Sequence, residues 1–247
     1  MAVSFNSPGT LMIHKLESIF SLADEEKQAI EELPIQVVDL KSGQDIVRIG
    51  DHPTQSCLVL AGFTCVYKLT SEGKRQIMTL HVPGDIPDLQ SLHLNVMDMS
   101  IASISPCTVG FIQHENLRDL CERYPRIGIA FWRETLVDAS VYREWLLSVG
   151  QRDAYPRMAH LFCELLMRLK AVGLVDDNTF ELPITQADLA DATGITSVHM
   201  NRVFQALRAD GLIQTQGAQV TFPDWEKLKE AGDFDPLYLH LERASAA

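Results

Sequence analysis

The sequence predicts an α+β chain in three parts: an N-terminal β-roll of jelly-roll type, one long helix, and a C-terminal winged helix-turn-helix. Three observations predict it. Between Ile35 and Ile112, short apolar runs alternate with turn signals. From Tyr124 to Leu147 the apolar residues switch to steps of three and four. From Ile184 to Phe222, a pair of capped helices separated by a glycine is followed by a short hairpin. The expected parts are residues 1–123, 124–150 and 151–247.

Composition frames the possibilities. The 247 residues are 46% apolar and 22% charged, which suits a folded chain with length for a substantial core. No apolar run approaches the roughly 20 residues of a membrane helix. Met1 to Thr10 lacks the basic start and apolar stretch of a secretory signal, so a cytoplasmic protein with no membrane contact is expected. Cys57, Cys65, Cys107, Cys121 and Cys163 are scattered and never spaced as CxxC. They are expected as reduced core residues rather than disulfides or a local zinc site. The net charge of −12 counts against a nucleic-acid partner for the chain as a whole, because phosphate contacts need Lys and Arg. Only the local face touching DNA has to be positive.

The elements follow in order. Leu11 to Leu33 has helical spacing through Leu16, Ile19, Phe20 and Ile30. Cys57–Ala61, Thr64–Leu69 and Gln76–His81 read as strands, with turns at Gly62, at Ser71–Lys74 and at Val82–Asp85. Ile101 to Ile112 is a further β-rich stretch containing Pro106. Many short strands with frequent turns indicate a roll or barrel.

The long helix carries two apolar faces. One is a coiled-coil-like stripe of Ile129, Trp132, Leu136, Ala139 and Leu146, interrupted by Arg143. The other comprises Ile127, Phe131, Val141 and Trp145. One face is expected against the chain's own β domain and the other against a partner subunit. Ser148–Gln151 reads as a break, with Gly150 ending the helix and Asp153 capping the next. That next helix, Tyr155 to Leu174, places Met158, Leu161, Phe162, Leu165, Leu166 and Leu169 on one side. Asp176–Asn178 is a turn.

Residues 182–207 carry the most information. Thr185 is an N-cap with Asp188 at the third helical position. Ala190 is small enough for a second helix to approach closely. Gly194 permits the left-handed backbone that ends one helix before the next, and Thr196 or Ser197 caps the second. There Met200, Val203, Phe204 and Leu207 form the buried face. Ser197, Val198, Asn201, Arg202 and Gln205 lie opposite. These types suit base reading, since Arg can fork onto guanine and Val can pack on a thymine methyl. Two strands around Gly217 then make the wing.

At these residues the chain resembles the Crp/Fnr regulators. Ile184 to Ile213 is similar to that family's DNA-binding signature. Leu80–Asp85 is similar to the end of its β-roll hairpin, and Cys107–Ile112 to its last strand. Thr196–Arg202 resembles an alphaproteobacterial branch. The resemblance implies a cyclic-nucleotide-binding-like sensor roll, a dimerisation helix, and a homodimer on a palindromic site of double-stranded DNA, with contact to RNA polymerase. It implies base reading by Ser197, Val198 and Arg202, with phosphate or secondary base contacts from Thr196, His199 and Asn201. Arg202 fits the family pattern best. Ser197 and Val198 depart from its usual Arg or Glu, so the operator is not transferable.

The resemblance also says what the sensor is not expected to bind. The family's cyclic-nucleotide pocket uses a Gly-Glu pair and then an Arg-Ser pair on the phosphate. Here Gly84–Asp85 stands at the first place, and Met97–Ser100 offers no Arg at the second. No Lys or Arg occurs between Arg75 and Arg118, and a buried phosphodiester without a cation is costly. Cyclic AMP is therefore not expected. Met1 to Gln55 contains no cysteine, so the iron–sulfur cluster of the oxygen-sensing branch is not expected either. Eight histidines leave haem open.

An enzyme is not expected. No P-loop, GxSxG or HExxH motif is present. His52, His81 and His93 are too far apart in sequence for a cupin-like HxH metal site. The alternatives are a β-roll that binds a ligand or partner without acting through DNA, and a cupin-like metal enzyme.

Overall fold

The computed structural model describes residues 7–241. Residues 1–6, part of the stretch read for a secretory signal, and residues 242–247 lie outside the described residues. The N-terminal segment read as one helical stretch is two helices, α1 (Pro8–Glu17) and α2 (Asp24–Glu31). Ser18 closes α1, donating from its backbone N–H to the His14 carbonyl.

Seven strands build the roll: β1 (Gln36–Leu40), β2 (Asp45–Val47), β3 (Gln55–Ala61), β4 (Thr64–Leu69), β5 (Arg75–His81), β6 (Ser100–Ser103) and β7 (Cys107–Gln113). They form two antiparallel sheets, ordered β1-β7-β3 and β2-β6-β4-β5. The run Ile101–Ile112, expected as one β stretch, is divided between the sheets. Pro106, which has no N–H to give a ladder, sits in the turn between them. Alternation sorts β3 between two cores. Cys57 and Val59 face Cys107 and Val109, while Leu58 packs with the helices. Cys57, Cys65, Cys107 and Cys163 are buried and Cys121 is half-buried, and none forms a disulfide.

After α3 (His114–Arg123), the long helix α4 runs from Pro125 to Gln151. Its 27 residues span about 40 Å. Proline suits the first turn, where an N–H would lack a partner. The break expected at Ser148–Gln151 lies one residue later. Gly150 is helical, and the chain leaves at Arg152 in an extended conformation. Arg157 sets this end, donating to the Val149 carbonyl at 3.0 Å and the Arg152 carbonyl at 2.6 Å. Asp153 occupies the N-cap position of α5 (Ala154–Ala171), but its side chain makes no capping bond.

The remaining elements are β8 (Thr179–Glu181), α6 (Gln186–Thr193), α7 (Ser197–Ala209), β9 (Gln214–Gln216), β10 (Gln219–Thr221), α8 (Trp225–Ala231) and a 3-10 turn, Pro236–Leu239. The wing has a third strand that the sequence does not announce. β8 pairs with β10, so that Val220 faces Phe180 on one side and Thr215 on the other. Asp177 and Asn178 take positive φ in the turn before it.

One core crosses the junction between roll and C-terminal part. It runs from Phe63, Ile77 and Leu80 through Val141 and Trp145 of α4 to Phe162, Leu189 and Phe204. Phe162 is fully buried, with its ring 5.7 Å from that of Phe204 and 5.4 Å from that of Phe222. Phe162→Ala leaves a cavity where α5, α7 and the wing meet. It should lower stability by about 3–5 kcal/mol, read as a fall in the urea midpoint.

Candidate nucleic-acid interface

Two capping bonds and one glycine set the helix pair. The Thr185 hydroxyl accepts from the Asp188 N–H at 3.1 Å and starts α6. Gly194 ends α6 with φ +68°, a left-handed position that favours glycine. The Thr196 hydroxyl then accepts from the His199 N–H at 3.2 Å, so Thr196, not Ser197, caps α7. Met200, Val203, Phe204 and Leu207 are buried as their spacing requires.

The opposite face of α7 is open. Ser197, Val198, Asn201, Arg202 and Gln205 fall within one arc of the helix, all exposed. Gln205 lies in the middle of that arc. His199 is exposed too, but sits at the border with the buried face, beside Val203. Val198 is 67% exposed, a branched apolar group held in water on the first turn. Asn201 donates to the Gln186 side chain at 3.2 Å, tying α7 to the start of α6. Arg202 has no hydrogen bond or ion pair among the described residues. Strands β9 and β10 of the wing add exposed Gln214, Thr215, Gln216 and Gln219, with no charge of either sign. The arrangement offers donors, acceptors, one methyl-bearing surface and one guanidinium around a helix N-terminus, which favours anions.

Between the roll, α4 and α5 lies a buried chain of charge that the sequence reading missed. Gly84 has φ +99°, and a Cβ there would lie 3.0 Å from Lys15 Cβ and 3.1 Å from the Leu11 carbonyl oxygen. Its absence lets α1 close over Asp85. Lys15 Nζ reaches Asp85 Oδ1 at 2.9 Å and Glu134 Oε1 of α4 at 3.0 Å. From α5, Arg168 reaches Asp85 Oδ2 at 2.7 Å and Glu164 Oε1 at 3.0 Å. Glu164 also accepts from Trp145 Nε1 at 3.0 Å and from the Tyr238 hydroxyl at 2.8 Å. Lys15, Asp85, Glu134, Glu164 and Arg168 are all buried.

Burial alone would raise the Asp85 carboxyl, but Lys15 and Arg168 hold it well below the usual carboxylate range. The acid surplus appears on α4, where burial pushes Asp138 up to about 8 and Glu134 repels its charge. Burial lowers His81, so that ring is neutral at pH 7. The cation absent between Arg75 and Arg118 is thus supplied from outside that window. Arg168 is 83 residues from Asp85. Both cations, however, are engaged by carboxylates. The available signals were Lys15 among Leu11, Met12 and Leu16, and Arg168 between Leu166 and Leu169. Each is a cation on an apolar face. Among the described residues, no group of three His, Cys, Asp or Glu is placed to hold a metal ion.

Two known families match separate stretches of the chain. Residues 37–124 match the cyclic nucleotide-binding domain and residues 156–231 the Crp-like helix-turn-helix domain. The transcriptional activator protein FnrL of Cereibacter sphaeroides is 27% identical over 201 residues, 78% of this chain and 79% of that protein. The transcriptional activator protein anr of Pseudomonas aeruginosa is 24% identical over 204 residues, 83% of each. The solved structure of FixK2 from Bradyrhizobium japonicum shares the fold, with a TM-score of 0.73 at 21% identity. It covers 81% of this chain and 98% of that one.

The raised Asp138 carboxyl gives a pH signature. It stays protonated in the folded chain up to about pH 8 but ionises near 3.8 when unfolded. The folded state therefore holds the extra proton between those values. Its contribution to stability is full below about 3.8 and is lost as pH rises through about 8. Asp138→Asn keeps a neutral side chain. Its stability advantage over wild type should grow from pH 4 to about 8 and then level off, measured by urea unfolding across that range.

Proposed function

This chain belongs to the Crp/Fnr family of transcription regulators, and from that premise we propose that it acts as a homodimer reading a palindromic DNA site through α7. The observation that carries the reading is the open arc of α7, whose base-reading residue types stand on a packed frame with Arg202 unengaged. Ser197, Val198 and Arg202 read bases in the major groove. Thr196, His199 and Asn201 make phosphate or secondary contacts. The parts are a sensor roll over 1–123, a dimerisation helix and junction over 124–150, and a DNA-binding unit over 151–247.

The dimer reading rests on α4. Trp132, Leu136 and Leu146 are 66%, 54% and 76% exposed along one stripe, while Ile127, Phe131, Val141 and Trp145 are buried against the chain itself. A row of large apolar groups in water marks a partner surface, and its coiled-coil spacing fits a second copy of the same helix. The protein works in the cytoplasm, regulates through contact with RNA polymerase, and is not an enzyme. Cyclic AMP does not control it. Asp85, at the place of the family's Gly-Glu pair, already spends its charge on Lys15 and Arg168.

Selection from a random duplex pool by the full-length protein tests the reading. Enrichment of an inverted repeat is expected, and enrichment of nothing contradicts it. Arg202→Ala should cost about 1–3 kcal/mol per half-site and relax the preference at one base pair. Equal losses on every operator variant, with a salt slope lower by about one unit per contact, would instead make Arg202 a phosphate contact. Leu136→Asp buries a charge in the seam, costing several kcal/mol. Sedimentation should show a dimer for wild type and a monomer for this variant at micromolar concentration.

A further inference from the structure

A second charged contact joins roll and reading head, and it lies outside the recognition helix. Arg75 opens β5, opposite Leu69 at the end of the β4–β5 hairpin. Its Nε donates to Asp191 Oδ2 at 2.8 Å and its Nη2 to Asp188 Oδ1 at 2.5 Å, both on α6. Its neighbour Gln76 donates from Nε2 to the Asp191 carbonyl at 2.8 Å. The far end of α6 is held from α5, where the Arg157 guanidinium donates to the Thr193 carbonyl. Helix α6 is therefore fastened to the roll by Arg75 and Gln76 and to α5 by Arg157.

The grip falls on the part of α6 that orders the reading head. Asp188 is the capping partner of Thr185, accepting from its hydroxyl at 2.5 Å while its N–H donates back to that oxygen. The next residue after the cap, Gln186, accepts from Asn201 on α7. Arg75 thus reaches the recognition helix through two links, Asp188 to the start of α6 and Gln186 to Asn201. The pairs are partly exposed, with side chains 30% accessible for Arg75, 12% for Asp188 and 35% for Asp191. Asp188 is the buried member, next to Leu189 of the apolar core.

We infer that Arg75 is a positioning residue for DNA recognition, clamping α6 to the roll and so fixing the separation of the two recognition helices in the dimer. It touches no DNA. In a dimer joined along α4, each α7 is located by how its own α6 sits on its own roll. A helix-turn-helix dimer demands a set distance between half-sites, so a rigid α6 becomes a spacing requirement on the operator. This inference rests on the homodimer and palindrome reading above.

The test uses full-length protein and the duplex enriched by wild type, resynthesised with one base pair added or removed between its half-sites. Wild type should prefer the original spacing. Arg75→Ala should bind that spacing about tenfold more weakly and lose most of the preference, with its salt slope little changed. Arg75→Lys, whose single ammonium cannot fork onto both carboxylates, should recover the preference in part. Asp191→Asn should resemble Arg75→Ala in kind, and combining the two should add little beyond Arg75→Ala alone. Asp191→Asn also serves if Arg75→Ala does not fold. An unchanged spacing preference in Arg75→Ala and Asp191→Asn overturns the role, as do additive losses in the double variant. A salt slope lower by about one in Arg75→Ala also overturns it, because that would mean direct phosphate contact. Failure of wild type itself to enrich an inverted repeat removes the underlying reading, and this role with it.

Discussion

Asp85 is a carboxylate that the interior does not tolerate alone, and meeting its charge dictates how the parts of this chain join. An isolated buried carboxylate costs far more than folding has to spare. Its two cations come from opposite directions, Lys15 on α1 and Arg168 on α5. Each cation is in turn bound to a second carboxylate, Glu134 on α4 and Glu164 on α5. Swinging α5 away from the roll would strand Asp85 with half its compensation. Breaking a buried pair of this kind costs about 3–5 kcal/mol. The apolar core across the junction supplies adhesion. The charges restrict that adhesion to arrangements in which Arg168 still meets Asp85.

The same logic reconciles the net charge of −12 with a DNA-binding head. Several acids are turned inward or neutralised. Asp85, Glu134 and Glu164 lie in the buried chain, and Asp188 and Asp191 of α6 are held by Arg75. The outward arc of α7 carries no acid, and neither does the exposed surface of β9 and β10. What faces outward there is uncharged or cationic, the cations being Arg202 and Arg208. Total charge averages over faces that never meet the same partner.

The reading head was legible because its determinants are local. Thr185, Gly194 and Thr196 sit within a dozen residues, and the period of Met200, Val203, Phe204 and Leu207 points α7 correctly. The two faces of α4 were legible for the same reason. Its end was not. A glycine in a helix costs only about 1 kcal/mol, so Gly150 does not compel a stop. The stop is made by Arg157 on the carbonyls of Val149 and Arg152. β8 is three residues long and exists because β10 offers it an edge. The Lys15–Asp85–Arg168 chain was least legible. Its members are far apart in sequence, and a search for a cation confined to one window finds none where folding brings two.

If the chain's own charges fix the junction, the ligand-free protein already holds its reading head where the DNA complex needs it. The direct measurement is the distance between spin labels on non-natural residues at exposed Ile49 of the roll and exposed Gln216 of the wing, in dimers with one labelled chain. A single narrow distribution, unchanged when the operator is added, is the result this account predicts. A broad distribution in the free protein, or one that shifts to a new distance on DNA, would contradict it.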